Sequence, residues 1–279
     1  MGRWTIAGPQ RLGLDEPVER LDVRLVSGRL NVVGVDGPAR IEVNALGTKP
    51  LEVTLTDGTL TVAYEGFRRW PHWTGPFWWF AFGRRRYRAD VSIAVPQAAV
   101  AHLRLVSGSL IASALRGGAT IEVTSGRVTP LGLAGHTRAK VVSGPVEALG
   151  VGGDLSLETV SGELVLADST AARVNAKTVS GSITADLDNP PHDSQIHLET
   201  VSGEITARVR EDSDLDVELR AVSGRLTSAF PELRPRNTHG RHTAHGTLGT
   251  GTGRLSAYAT SGSISLLRRP VDSDAEADQ

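Results

Sequence analysis

The sequence contains no cysteine, which excludes disulfide bonds and thiolate metal sites. It has no run of 18 apolar residues, so no transmembrane helix is expected. Long runs of helix formers at a period of 3.6 are also missing. Neither charge sign dominates, since the formal net charge is −1. A general attraction to nucleic acid or to an anionic membrane is therefore not expected, and any such role needs a local patch.

The two ends of the chain also lack specific features. Residues 1–30 show no charged-then-apolar signal peptide, which predicts a cytoplasmic protein, either free or peripheral at the inner face of the membrane. Residues 269–279 carry acidic side chains with almost nothing to bury, which predicts a disordered tail. The whole chain has 39% hydrophobic residues, 31 glycines and 14 prolines, which is typical of short strands joined by tight turns.

A Ser-Gly pair preceded by an apolar residue or threonine recurs along the chain, and we call each such pair a corner. From Ser107 onward the corner serines are 18, 18, 18, 19, 22, 21 and 38 residues apart. This near-constant spacing predicts one supersecondary unit per repeat, with each unit contacting its neighbours. The last gap equals about two repeats, or one repeat plus an insertion. The corner serines are Ser27, Ser107, Ser125, Ser143, Ser161, Ser180, Ser202, Ser223 and Ser261.

At a given distance from the corner serine, the residues of the different repeats have the same chemical character. The residues four and two before the serine are apolar or threonine and alternate with polar ones, which is the mark of a half-buried strand. The residue three before the serine is charged, and its sign alternates from repeat to repeat. In a parallel stack these residues lie about 4.8 Å apart, where opposite charges attract. This column consists of Arg104, Glu122, Lys140, Glu158, Lys177, Glu199 and Arg220.

These patterns predict an all-β protein, a parallel β-solenoid (β-helix-like) of about 18–22 residues per coil with an N-terminal β cap. The expected domains are a β region or cap over residues 1–100, a Ser-Gly repeat solenoid over 101–268 and the acidic tail over 269–279. In the first region Ile41/Val43/Ala45, Leu51/Val53/Leu55 and Leu60/Val62/Tyr64 alternate, and Asp57-Gly58 marks a turn or a degenerate corner. Solenoid ends expose unpaired strands, so end-to-end stacking into a homo-oligomer is the alternative to a cap.

The repeated Val-Ser-Gly and Thr-Ser-Gly corners resemble those of the bacterial "putative adhesin" β-strand-repeat family, a domain of unknown function. The stretch from Leu21 to Gly34 is similar to the start of that family, and the resemblance covers roughly residues 15–268. It implies a β-repeat fold without catalytic residues and an association with the cell envelope and its stress responses.

Residues 67–88 interrupt the strand pattern as an insertion. They hold nine of the thirteen aromatic residues and six arginines, without an acidic residue. One interpretation is that the rings cap the solenoid end. The other is contact with an anionic membrane surface or a protein partner, because tryptophan favours the bilayer interface and arginine meets anionic headgroups. Nucleic-acid binding is the weakest interpretation, since no other basic face supports it. The candidate contact residues are Trp70, Trp73, Phe77, Trp78, Trp79, Phe80, Arg84, Arg85 and Arg86.

Several features resemble chemical sites and are interpreted otherwise. The corner serines are periodic and have no histidine or aspartate partner in the pattern, whereas a nucleophile needs a base. His239, His242 and His245 are residues that Zn²⁺ or Ni²⁺ would accept, but the surrounding sequence and the run 246–253 are typical of a solvated loop. Acidic residues of the kind used in glycoside chemistry occur together at one turn, not along a face. They are Asp186, Asp188 and Asp193.

The leading function is therefore a non-catalytic scaffold or interaction protein without a cofactor or metal, at the inner face of the membrane or in the cytoplasm. Its expected partner is a protein or an anionic membrane surface, and no nucleic acid is expected. The alternatives are a surface adhesin and a carbohydrate-active β-helix enzyme.

Overall fold

The structure is a computed structural model that describes residues 2–65, 86–188, 192–238 and 240–270. Within these ranges the regular structure is β-strand, and no helix there is long and apolar enough to cross a membrane. The prediction of an all-β fold is confirmed. The chain divides into two compact units, Met1–Gly144 (unit 1) and Pro145–Gln279 (unit 2).

Unit 1 combines a parallel ladder with antiparallel pairs. Strands β3, β8, β9 and β10 lie parallel in that order and in register, with corner serine opposite corner serine. The antiparallel pairs are β1–β5, β2–β4, β4–β7 and β5–β6. The strands of unit 1 are β1 (Gly2–Ile6), β2 (Gln10–Leu14), β3 (Arg20–Val35), β4 (Ala39–Leu46), β5 (Leu51–Thr56), β6 (Thr59–Tyr64), β7 (Arg88–Pro96), β8 (Val100–Ser113), β9 (Ala119–Leu131) and β10 (Thr137–Ser143).

Unit 2 contains two parallel ladders, one before and one after the corners, together with antiparallel pairs made by its strand Arg241–Leu248. The strands of unit 2 are β11 (Val146–Leu149), β12 (Asp154–Ser161), β13 (Leu164–Ser169), β14 (Arg173–Ser180), β15 (Ile183–Leu187), β16 (Gln195–Ser202), β17 (Ile205–Arg210), β18 (Leu215–Ser223), β19 (Leu226–Ser228), β20 (Arg236–Thr238), β21 (Arg241–Leu248), β22 (Gly253–Ser261) and β23 (Ile264–Arg269). The first ladder runs β12, β14, β16, β22, β18. The second runs β11, β13, β15, β17, β23, β19. Parallel repeats of this kind make the fold solenoid-like.

The predicted core positions are confirmed. The apolar residues four before each corner serine from Ser107 to Ser223 are at most 1% exposed, and those three after are at most 5% exposed. The hairpin predicted at Asp57-Gly58 joins β5 to β6. The alternation fails at Ala45, which is exposed because a β-bulge follows Val43 in the pairing of β4 with β7.

The corner glycines of neighbouring strands form a column in which the strand backbones are in close contact. Gly126, for example, has a φ of 146°, and a Cβ placed on it would lie 1.7 Å from the carbonyl oxygen of Gly108 on the next strand. No side chain fits there, and a residue with a Cβ would also be strained at this φ. The repeat therefore needs glycine for two reasons, the turn itself and the close approach of the neighbouring coil.

The predicted column of alternating charges is confirmed within each unit. The prediction is wrong for its last residue. Glu122 lies between Arg104 and Lys140 in unit 1. In unit 2 Lys177 lies opposite Glu158 and Glu199, and its Nζ is 3.0 Å from Glu199 Oε2. Arg220, however, does not follow Glu199. Tyr258 of β22 lies between them, because the last coil of the chain inserts between the two coils that precede it.

Two residues before the corner serine, some buried side chains of unit 2 carry a hydroxyl group, whereas the equivalent side chains of unit 1 are apolar. Unit 1 places Val123 and Val141 there, whereas unit 2 places Thr159, Thr178 and Thr200. Among the described residues, the Thr159 and Thr178 hydroxyls have no hydrogen-bond partner, although both side chains are buried. The Thr200 hydroxyl, in contrast, donates to the carbonyl oxygen of Gly181 at 3.2 Å.

Replacing both unpaired threonines, Thr159→Val with Thr178→Val, is expected to raise the free energy of unfolding by about 1–2 kcal/mol. The change removes the desolvation cost of two unpaired hydroxyls and keeps the side-chain shape. Thr200→Val is the matched control and is expected to cost about 1 kcal/mol, since it removes a hydrogen bond. Urea denaturation measures both, and a double variant less stable than the wild type would contradict the assignment.

Candidate anion-binding cleft

A shallow open cleft of about 390 Å³ lies at the corners of unit 1. Two consecutive corners of the ladder, on β3 and β8, form its floor, and the start of β7 forms one wall. Its two basic side chains are both well exposed, Arg29 at 71% and Arg88 at 62%. The lining residues are Ser27, Gly28, Arg29, Arg88, Ser107, Gly108 and Ser109.

Asp90 orients the guanidinium group of Arg29 and lies near that of Arg88. Its carboxylate is only 10% exposed and accepts hydrogen bonds from Arg29 Nη2 at 2.9 Å and from Arg29 Nε at 3.2 Å. The Nε of Arg88 is 3.9 Å from its other oxygen. The negative charge thus lies beneath the arginines while their guanidinium groups face solvent. Such an arrangement presents planar donors that match a phosphate or carboxylate group.

The strand pairing explains why these residues meet. β3 is one continuous strand through its corner, and its second half pairs in parallel with β7, which places Ser27 opposite Arg88 and Arg29 opposite Asp90. The hydroxyl of Ser27 donates to the carbonyl oxygen of Tyr87 at 3.2 Å. The corner of β8 follows on the other side of β3, with Ser109 opposite Arg29. The cleft is therefore fixed by backbone register.

The cleft includes Arg88, the last residue of the aromatic–arginine insertion. Of the predicted contact residues only Arg86 is described, and it is exposed, with its carbonyl oxygen accepting a hydrogen bond from Lys49 N at 3.2 Å. Tyr64, which precedes the insertion, and Tyr87, near its C-terminal end, pack edge to face with ring centroids 5.1 Å apart. Burial raises the pKa of the Tyr64 hydroxyl. The other predicted contact residues lie outside the described residues, namely Trp70, Trp73, Phe77, Trp78, Trp79, Phe80, Arg84 and Arg85.

The expectation of a histidine-rich loop is wrong for the part of it that is described. His242 and His245 belong to β21, which pairs antiparallel with β18, and Gly246 continues that strand. Three residues apart on a strand, the two rings point to opposite faces and do not converge on a metal. A carboxylate lies near one of these rings, since His245 Nδ1 is 3.7 Å from Asp216 Oδ1. His239 lies outside the described residues.

Two of the three aspartates considered for glycoside chemistry, Asp186 and Asp188, are engaged in ion pairs. Asp186 accepts from Arg208 Nε at 2.8 Å and from Arg269 Nη1 at 3.3 Å. Hydrogen bonding from Arg208 holds the pKa of Asp186 below its usual range. Asp188 pairs with Arg210 at 3.4 Å. The contribution of Asp186 to stability is therefore present above the ordinary pKa of aspartate and is lost as the pH falls through its lowered pKa.

A serine outside the corners does contact a histidine. Ser256 Oγ is 2.9 Å from His197 Nδ1, and His197 Nε2 is 3.4 Å from Glu199. Glu199 already pairs with Lys177, whose approach lowers its pKa. His197 and Ser256 are register partners on neighbouring parallel strands. We interpret the group as part of the polar rows that cover the outer face of this ladder.

Sequence reasoning missed Arg29 and assigned Arg88 only to the insertion. The signal for Arg29 was present, since it lies two residues after a corner serine. The pairing of β3 with β7 across 61 residues had no such signal, so the meeting of Arg29 with Asp90 was not predictable.

Three solved structures resemble the chain at low sequence identity. A "putative adhesin" from Bacteroides fragilis aligns with a TM-score of 0.45 at 13% identity, covering 95% of this chain and 97% of that one. A "putative lipid binding protein" from Parabacteroides distasonis gives 0.41 at 10% identity, covering 93% and 97%. A "putative cell adhesion protein" from Clostridium sporogenes gives 0.29 at 12% identity, covering 94% and 100%. No curated protein matches the sequence.

The family comparison covers most of the chain. The model of the family described as Toastrack DUF4097 matches residues 36–267, which include the corners from Ser107 to Ser261. The resemblance seen in the corners is thereby confirmed. The chain belongs to the Toastrack DUF4097 family.

Proposed function

We propose that this protein is a non-catalytic β-repeat scaffold whose unit 1 docks on an anionic membrane surface at the inner face of the cell envelope. The observation that carries the proposal is the cleft, where Arg29 and Arg88 lie exposed above the buried carboxylate of Asp90. This geometry suits the phosphate or carboxylate of a lipid headgroup, which accepts paired hydrogen bonds from guanidinium.

The sequence beside the cleft supports a membrane as the source of the anion. Arg88 ends the insertion of residues 67–88, which adds four tryptophans and five further arginines. Tryptophan side chains favour the interface between headgroups and acyl chains, and each basic residue near an anionic surface contributes about 1 kcal/mol. We infer that the cleft and this tryptophan-rich sequence contribute to the same membrane docking.

The ladders explain how a scaffold of this kind keeps its shape. Each coil is held by parallel backbone hydrogen bonds and by the glycine column, so the corners that carry the cleft have little freedom to move. A rigid presentation lowers the ordering cost of binding. The corner serines lie in a periodic row, which supports a structural role for them and not a nucleophilic one.

Vesicle sedimentation tests the proposal. The wild type is expected to sediment with vesicles rich in phosphatidylserine at low salt, and replacing Trp70, Trp73, Trp78 and Trp79 together by serine is expected to abolish sedimentation. Trp4→Ser is the matched control, because Trp4 is the fifth tryptophan and lies in β1, away from the insertion in sequence. A wild type that ignores such vesicles would refute membrane docking, and so would a four-tryptophan variant that still binds.

A further inference from the structure

The last coil of the chain lies inside the ladders of unit 2 and not at their end. β22 lies between β16 and β18, with Ser256 opposite His197 on one side and Glu218 on the other. β23 likewise lies between β17 and β19, where Ile264 is opposite both Ile205 and Leu226. The chain up to β21 therefore builds both walls of a slot that only its C-terminal coil, residues 253–269, fills.

Backbone hydrogen bonds bind this coil on both sides. The amide of Gly203 donates to the carbonyl oxygen of Ser261 at 3.0 Å, and the amide of Gly262 donates to that of Ser223 at 2.9 Å. In the second ladder the amide of Ile264 donates to Arg225 at 2.9 Å. An empty slot would leave two strand edges unpaired, and such edges capture a matching strand.

The slot selects a Ser-Gly coil as its occupant. At Gly262 the φ is 155°, and an added Cβ would lie 1.7 Å from the carbonyl oxygen of Gly203. The inward positions of the coil are filled by small or branched apolar side chains that are at most 2% exposed. They are Leu255, Ala257, Ala259, Ile264 and Leu266. A second copy of this chain carries that coil with the same pattern, which identifies the partner.

The connection to the coil is short and runs over the end of β18. β21 and β22 flank β18 on opposite sides, and residues 249–252 cross from one to the other. Asp214, just before β18, holds the crossing, because its Oδ1 accepts from Thr250 N at 2.6 Å and its carbonyl oxygen accepts from Gly253 N at 2.8 Å. If the crossing extends, the coil leaves its own slot without disturbing the strands that form the walls.

We propose that the coil 253–269 is a strand-exchange element through which two copies of this chain form a reciprocal dimer, each filling the slot of the other. All the contacts of the closed form are reproduced in such a dimer, so protein concentration during folding decides between the two. The dimer carries two copies of unit 1 and hence two anion-binding clefts. The proposal does not depend on membrane docking.

Cysteine crosslinking tests the exchange, because the natural chain has no cysteine. A His197→Cys chain and a differently tagged Ser256→Cys chain are unfolded, mixed and refolded together at high and at low concentration. Register partners on neighbouring strands are close enough for a disulfide. After mild oxidation, a disulfide-linked heterodimer is expected from the high-concentration sample, at least tenfold above the low-concentration one.

Two further pairs keep the test decisive. Thr206→Cys with Ser265→Cys repeats it on the second ladder and is expected to give the same heterodimer, even where the first pair folds poorly. Arg104→Cys with Glu122→Cys is the control, since these partners belong to successive coils of unit 1 and are expected to stay unlinked. The proposal is overturned if neither test pair exceeds the control at high concentration.

Discussion

Replacing Gly126 with alanine is expected to cost about 3–5 kcal/mol of folding free energy, or to prevent accumulation of folded protein. The Cβ would lie 1.7 Å from the carbonyl oxygen of Gly108 and 2.8 Å from its carbonyl carbon, so the two coils would have to separate. Positive φ at this residue adds about 1–2 kcal/mol for any residue with a Cβ. Costs above 4 kcal/mol are exceptional and arise from backbone effects of this kind.

Gly37→Ala is the matched control for this prediction. A Cβ on Gly37 meets nothing within 4 Å, and its backbone is not in the left-handed region. Such a substitution usually changes stability by less than about 1 kcal/mol, often favourably. Thermal unfolding followed by circular dichroism compares the two variants. If the Gly126 variant unfolds within a few degrees of the control, the stacked corners do not hold the coils together as described.

Changing Arg29 and Arg88 together to glutamine is expected to weaken binding to anionic vesicles about 30-fold. The two guanidinium groups are the exposed donors of the cleft, and losing two basic residues at an anionic surface costs about 2 kcal/mol. Binding of the double variant should also depend less steeply on salt, because fewer charges remain to be screened.

Two variants separate loss of binding from loss of folding. Adding Asp90→Asn to the double variant removes the buried carboxylate that the arginines cover, so the triple variant should fold well and still bind weakly. Arg11→Gln with Arg40→Gln makes the same change in net charge on strands β2 and β4 and should leave binding nearly unchanged. Equal weakening in the cleft variant and in this control would show that only overall charge matters.

The local pattern of the fold was predictable because it depends on short-range chemistry. The sequence shows a period of two in hydrophobicity, a glycine at each corner and alternating charges three residues before each corner serine. The rows of buried side chains from Leu103 to Leu219 follow these patterns. Within each unit the charge column was predicted correctly for the same reason, since it reports which residues become neighbours when equal repeats stack in parallel.

The features that the sequence did not predict depend on pairing between strands that are far apart in the chain. No feature of the β22 sequence indicates that this strand lies between β16 and β18, so Tyr258 was not expected beside Glu199. The strand β21 was taken for a loop because the run 246–253 that begins within it is rich in glycine, which has low strand propensity, whereas pairing with β18 overrides that preference. The cleft depends on β3 pairing with β7 across the insertion, which no spacing in the sequence reveals.

Site-specific fluorescent labelling decides whether the corner cleft of unit 1 faces an anionic membrane, as we propose. An environment-sensitive fluorophore is attached to a single thiol introduced by Ser109→Cys on the cleft, or by Thr184→Cys on β15 of unit 2. With phosphatidylserine vesicles, we expect a brighter, blue-shifted emission from the Ser109 position and an unchanged one from the Thr184 position. An unchanged emission at the cleft, or the same shift at both positions, would contradict it.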